Sequence, residues 1–299
     1  MDNVLTLIAG HGLATLDASE VSEVRGALRG AGATVGEARW LSPERACDLD
    51  FSGLDPLAAD GLARRVLEGW AVDVVAQKAE GRRKKLLVAD MDSTMVTGET
   101  LDELADFAGL KDHIAGITAR AMNGEIGFEA ALRERVGLLK DLSADCLART
   151  WERVEFTGGA HRLVRTMKKH GAFAVLVSGG FKFFTSKVRE ACGFDRDIAN
   201  ELIVADGRLT GQVGNTIIGR EAKLATLNAV SAELGITPAL AVAVGDGAND
   251  LDMIRAAGLG VAFHAKPVVA AEARVRVDHG DLTVLLYAQG YADSEMVEA

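Results

Sequence analysis

Cysteine is scarce in this chain, cationic residues are outnumbered, and long apolar runs are missing. Only three cysteines occur in 299 residues, Cys47, Cys146 and Cys192. They are widely spaced and form no Cys-x-x-Cys pair, which argues against a disulfide framework or structural zinc and fits a reduced cytoplasm. Each reads as a small buried hydrophobe. Lys and Arg number 33 against 43 Asp and Glu, a formal charge of −10. That balance argues against nucleic acid or an anionic membrane as a partner. A phosphorylated ligand would then need a local cationic site or a metal. No run of about 18 apolar residues occurs, and the short one near the start is too brief for a signal peptide or membrane span. Repeats and low-complexity segments are also lacking.

Apolar residues make up 48% of the chain and charged ones 25%, enough for a sizeable core, and the length suggests two domains. Residues 1–77 read as strands at 4–9, 34–41, 45–51 and 72–76 with helices at 18–30 and 56–70. The order β-α-β-β-α-β predicts a ferredoxin-like α+β domain. Residues 77–85, with Gly81 and the basic run Arg82-Arg83-Lys84-Lys85, read as a linker whose charges are solvated. Across 78–299, continuous apolar runs at 85–90, 172–178, 240–245 and 258–262 alternate with helical segments. This predicts a Rossmann-like α/β core, a parallel sheet covered on both faces. The stretch at about 100–156 has helical periodicity and exceeds one crossover helix, so it reads as an inserted helical cap. Within it Phe128, Leu132, Val136 and Leu139 share one face. Asp206-Gly207 between two short apolar runs predicts a hairpin over 201–213.

Ligands of open α/β sheets bind beyond the carboxyl ends of the strands. The first such end carries Asp90-Met91-Asp92-Ser93-Thr94. Two carboxylates this close repel unless a cation lies beside them, and a hard ion such as magnesium suits the oxygen ligands. Asp90 can then act as a nucleophile on phosphorus, with Asp92 as acid and base. An acidic turn capping the next helix is the ordinary alternative. Ser178-Gly179-Gly180 lets backbone N–H groups approach an anion, as a plain turn also would. Lys223, in a polar turn before a helix, can neutralise phosphoryl oxygens or simply be solvated. Gly245-Asp246-Gly247-Ala248-Asn249-Asp250 combines three short oxygen-bearing side chains with two glycines, a pattern for metal ligation or phosphate positioning. All four are assigned to successive strand ends of one sheet, which turn chemistry alone does not explain.

The series Asp90-x-Asp92-Ser93-Thr94, Ser178-Gly179, Lys223 and Gly245-Asp246-Gly247-x-Asn249-Asp250 resembles the haloacid dehalogenase-like superfamily, and within it the phosphoserine phosphatases, over residues 85–290. Met91 departs from the phenylalanine common there. The resemblance implies Asp90 as nucleophile and Asp92 as general acid/base. It implies Mg²⁺ held by Asp90, the main-chain carbonyl of Asp92, and Asp246, with Asp250 in support. Ser178, Gly179 and Lys223 would bind the phosphoryl group, assisted by Asn249. In the cap, Glu99 would take an ammonium and Arg135 a carboxylate, while Phe128 shields the site. The expectation is hydrolysis of O-phospho-L-serine, the last step of serine biosynthesis, through an aspartyl-phosphate. A phosphatase or phosphotransferase for phosphohomoserine or phosphothreonine remains open, as does an amino-acid sensor. The N-terminal module resembles an ACT domain, with Gly10-His11-Gly12 partly matching an effector loop, which implies a possible amino-acid effector and a homodimer.

Overall fold

The computed structural model describes residues 1–122 and 125–298. In the N-terminal part, β1 (Asn3–Ala9), α1 (Ala18–Gly30), β2 (Thr34–Ser42), β3 (Ala46–Ser52), α2 (Pro56–Val66) and β4 (Val72–Lys78) form an antiparallel sheet of order β2-β3-β1-β4. The Asp17 side chain and the Glu20 side chain cap one another's backbone at the start of α1. Pro56 opens α2, where its missing N–H costs nothing. That helix stops at Val66, short of the expected residue 70. One face of the sheet packs on the helices through Leu5, Leu7, Leu49 and Phe51. The other face contributes Ile8, Leu41, Ala46 and Val75 to the main core.

The second part is built on β5 (Leu86–Ala89), which enters a helical insertion of α3 (Thr100–Phe107), α4 (Lys111–Met122), α5 (Phe128–Gly137) and α6 (Asp145–Trp151). The chain returns through α7 (Ala160–Lys169), β6 (Phe173–Phe181), α8 (Lys182–Cys192), β7 (Arg196–Asn200) and the hairpin β8 (Leu202–Ala205) and β9 (Arg208–Val213). It ends with α9 (Arg220–Glu233), β10 (Ala241–Gly245), α10 (Leu251–Ala256), β11 (Leu259–Phe263), α11 (Pro267–Ala270), β12 (Val275–Val277) and α12 (Val284–Ala288). The parallel sheet has the order β12-β11-β10-β5-β6-β7, so β5 lies centrally between β10 and β6. All of β5 and β10 is buried, as continuous apolar runs require. Edge strands β7 and β12 carry Arg196, Asp197 and Arg276 instead, and for that reason no apolar run marks them. The hairpin turn has positive φ at both Asp206 and Gly207, matching the turn chemistry read from the sequence.

The basic run after β4 is solvated only in part: Arg83 and Lys85 are exposed, whereas Arg82 and Lys84 turn inward. Arg82 bonds the fully buried Asp48 at 2.7 and 3.1 Å, and also the carbonyls of Tyr287 and Ala288. Arg83 pairs with Glu295, and Lys84 is buried against the carbonyls of Gly81 and Ala239. Asp73, also fully buried, accepts the backbone N–H groups of Asp278, His279 and Gly280. A buried carboxylate left without such donors costs several kcal/mol, so these contacts join the two parts firmly. The three cysteines are free and buried. Among the described residues no helix is long and apolar enough to cross a membrane.

Candidate active site

The site forms where β5 and β10 end side by side. The Asp90 backbone N–H donates to the Val244 carbonyl at 3.0 Å, which ties the end of β5 to β10. The chain then turns sharply, with Ser93 at φ 53°, and Asp90 accepts the Met91 N–H at 2.8 Å. Lys223 Nζ stands 2.6 Å from Asp90 Oδ2 and 2.6 Å from Asp250 Oδ1. This lysine is fully buried in the first turn of α9, so it is neither solvated nor at a strand end. Its strand-end assignment is corrected to a helix start aimed at the sheet. Burial alone would depress its ammonium, but the charges of Asp90 and Asp250 outweigh that and hold it above the usual lysine range.

Carboxylate oxygens of Asp90, Asp246 and Asp250 lie within 4.8 Å of one another. Burial, reinforced by the Asp90 charge, pushes Asp246 up to about 6 and Asp250 up to about 8. Three acidic groups facing a single ammonium leave surplus negative charge, and the all-oxygen donor set fits a hard divalent cation. Asp250 folds back under Gly245: a Cβ there would lie 2.2 Å from Asp250 Cγ. Asn249 curls over Gly247 in the same turn.

Asp92 is not one of these three converging carboxylates. Its Oδ1 accepts the Thr100 N–H at 3.0 Å, at the start of α3. Burial and the neighbouring Glu99 charge raise its carboxyl well above the usual range, the direction a general acid needs. Its Oδ2 lies 2.8 Å from where a Gly180 Cβ would stand, and Ser178 Oγ lies 3.1 Å from that same point. Gly180 thus lets the acid and the buried Ser178 hydroxyl converge, and Ser178 Oγ in turn accepts the Gly180 N–H at 2.9 Å. The sequence placed Gly180 in the Ser178-Gly179-Gly180 turn without giving it a role of its own, and the structure supplies one.

Glu99 occupies the N-cap position of α3 yet makes no side-chain capping bond. Instead it accepts the Ser93 hydroxyl at 2.7 Å. Its residue is open to solvent on one side, but the protein crowded around its carboxyl, together with Asp90 and Asp102, raises it above the ordinary range. Arg135, half-buried in α5, donates to the Ala131 carbonyl at 3.2 Å and to Thr118 Oγ1 at 3.3 Å, and it feels the charges of Asp102 and Glu99. Phe128 departs from the helix face assigned to it. Leu132, Val136 and Leu139 are buried, whereas Phe128 is 41% exposed and reaches toward Gly179 and Gly219 across the cleft.

Residues 87–255, which hold this acidic cluster, match the family model of the haloacid dehalogenase-like hydrolases. The chain belongs to that family. It is 47% identical over 208 residues to a phosphoserine phosphatase of Archaeoglobus fulgidus, covering 69% of this chain and 60% of that protein. It is 40% identical over 259 residues to one of Streptomyces coelicolor, covering 86% of this chain and 63% of that protein. The chain thus spans about three fifths of the length of these two relatives. A solved phospho-aspartyl intermediate analogue of phosphoserine phosphatase superposes with a TM-score of 0.64 at 41% identity, covering 68% of this chain and 98% of that one.

Proposed function

We propose that this protein hydrolyses O-phospho-L-serine to serine and phosphate through an aspartyl-phosphate on Asp90. The observation that carries the reading is the placement of two neighbouring carboxylates in opposite surroundings, one against an ammonium and one against a backbone N–H. Asp90 lies 2.6 Å from the Lys223 ammonium, while Asp92, two residues on, is a buried carboxyl raised well above the usual range by burial and the Glu99 charge. Asp90 Oδ attacks phosphorus in line, and Asp92 delivers its proton to the departing serine oxygen. Asp92, now a carboxylate, then takes a proton from the water that opens the acyl-phosphate. Lys223, the Ser178 hydroxyl and the Gly179 backbone hold phosphoryl oxygens, with Asn249 in support. Magnesium would be held by Asp90, Asp246 and the Asp92 carbonyl, with Asp250 behind them. When bound it offsets the charge of the transferring phosphoryl group.

Glu99 and Arg135 select a zwitterionic substrate, binding its ammonium and its carboxylate, and Phe128 closes over them. The chain divides into a regulatory and pairing domain at 1–77, ACT-like in its strand order, and a phosphatase domain at 78–299 whose cap covers about 100–156. Because β4 binds the catalytic part through Asp73 and Gln77, edge-to-edge pairing of two chains would use β2. Three buried free thiols support a cytoplasmic location. Phosphate release from a panel of phosphoserine, phosphothreonine, phosphohomoserine and sugar phosphates, with and without magnesium, tests the proposal. Phosphoserine should be turned over best and only with the metal, and Asp90→Asn should be inactive. A clear preference for a sugar phosphate, or substantial activity in Asp90→Asn, would overturn it.

A further inference from the structure

Asn200 ends β7 and is 1% exposed. Its Nδ2 donates to the Gly179 carbonyl at 2.8 Å and to the Ile218 carbonyl at 3.1 Å, and its Oδ1 accepts the Ile218 N–H at 2.7 Å. One buried amide thus joins the end of strand β6 to the segment that leads into α9. The first carries Ser178 and Gly179. The second, Ile218-Gly219, leads into the helix that carries Lys223. The far sides of the same two glycines face the cap: Phe128 Cζ lies 3.2 Å from where a Gly179 Cβ would stand, and Phe128 Cδ1 lies 3.2 Å from that point on Gly219. Two bare glycine surfaces therefore make a seat for the ring, and the spacing between them is set from behind by Asn200.

We infer that Asn200 is a positioning residue that builds the docking seat for Phe128 and so governs cap closure. Its amide bonds backbone groups of Gly179 and Ile218 and no candidate metal ligand, so it acts through these two segments. Both amide donors and the oxygen are in use, so no side chain of similar size replaces it. Aspartate keeps the shape and the bond to the Ile218 N–H but turns an oxygen toward two carbonyls, which drives the segments apart.

The test uses the intact chain with Asn200→Asp, Asn200→Ala, Phe128→Ala and the double variant Asn200→Asp/Phe128→Ala. Hydrogen exchange of residues 128–137 should quicken about tenfold in both Asn200 variants, while the sheet residues 86–89 and 241–245 stay within about twofold of wild type. The KM for phosphoserine should rise about tenfold with kcat within about threefold, and Phe128→Ala should give a similar rise. The double variant should add little to either, because both changes break the same contact. Equal quickening in sheet and cap would mean a merely structural role and overturn the inference, as would unchanged exchange at 128–137. The kinetic arm rests on the proposed function, whereas the exchange arm needs no substrate. Failure of wild type to cleave phosphoserine would sink the substrate assignment and leave the exchange result to decide on Asn200.

Discussion

Lys223→Met isolates the charge at the centre of the site, because methionine fills nearly the same space without a cation. In the wild type the ammonium is fully buried and spans two carboxylates at 2.6 Å each. Removing one partner of a buried ion pair costs about 3–5 kcal/mol, since the remaining charge stays desolvated. Asp250 is already pushed up to about 8, so it can take a proton and limit the loss. The expected destabilisation is therefore at the lower end, about 3 kcal/mol. At about 2–4 °C per kcal/mol this lowers Tm by roughly 6–12 °C without magnesium, measured by scanning calorimetry. Turnover should suffer more, because loss of one preorganised stabiliser costs about 10²–10³ in kcat. Metal binding should move the other way: with one positive charge gone, half-maximal stabilisation needs less magnesium than in wild type. A variant with wild-type Tm in metal-free buffer and kcat within tenfold would refute the bridging role of Lys223.

Gly180→Ala places a methyl 2.8 Å from Asp92 Oδ2, and a shift of that size in the acid should cost about 10²-fold in kcat with little change in Tm, read by steady-state phosphate release. Magnesium stabilisation should depend on pH. Asp246 and Asp250 have folded pKa values raised to about 6 and about 8 from 3.8, so without metal they keep protons that the unfolded chain releases between pH 4 and 8. Over that window stability from these groups falls as pH rises, whereas the metal requires the ionised forms. The Tm increase on adding magnesium should therefore be larger at pH 8 than at pH 6, and the opposite order would contradict the assignment. Arg82→Met leaves Asp48 fully buried with Thr6 and the more exposed Arg39, so a loss of about 3 kcal/mol is expected. Calorimetry should show the two parts unfolding in separate transitions, and a single unshifted transition would count against the domain clamp.

The sequence by itself determined the features whose causes are local. Apolar strands followed at once by Asp90-Met91-Asp92 or Gly245-Asp246-Gly247 announce a parallel sheet with acidic groups at its ends, since strand and turn are contiguous. The β-α-β-β-α-β order and the Asp206-Gly207 hairpin were legible for the same reason. Only the tertiary structure decided what depends on distant partners. Helical periodicity put Phe128 with Leu132 and Val136, but at the first position of α5 the ring has the glycine seat across the cleft to pack on. The basic run after β4 looked solvated because its partners, Asp48 and the carbonyls near Tyr287, lie 34 and 205 residues away. Asn200 gave no signal at all, being one polar residue at an edge strand. Its role, like the burial of Lys223, arises only when the fold brings two segments to one side chain.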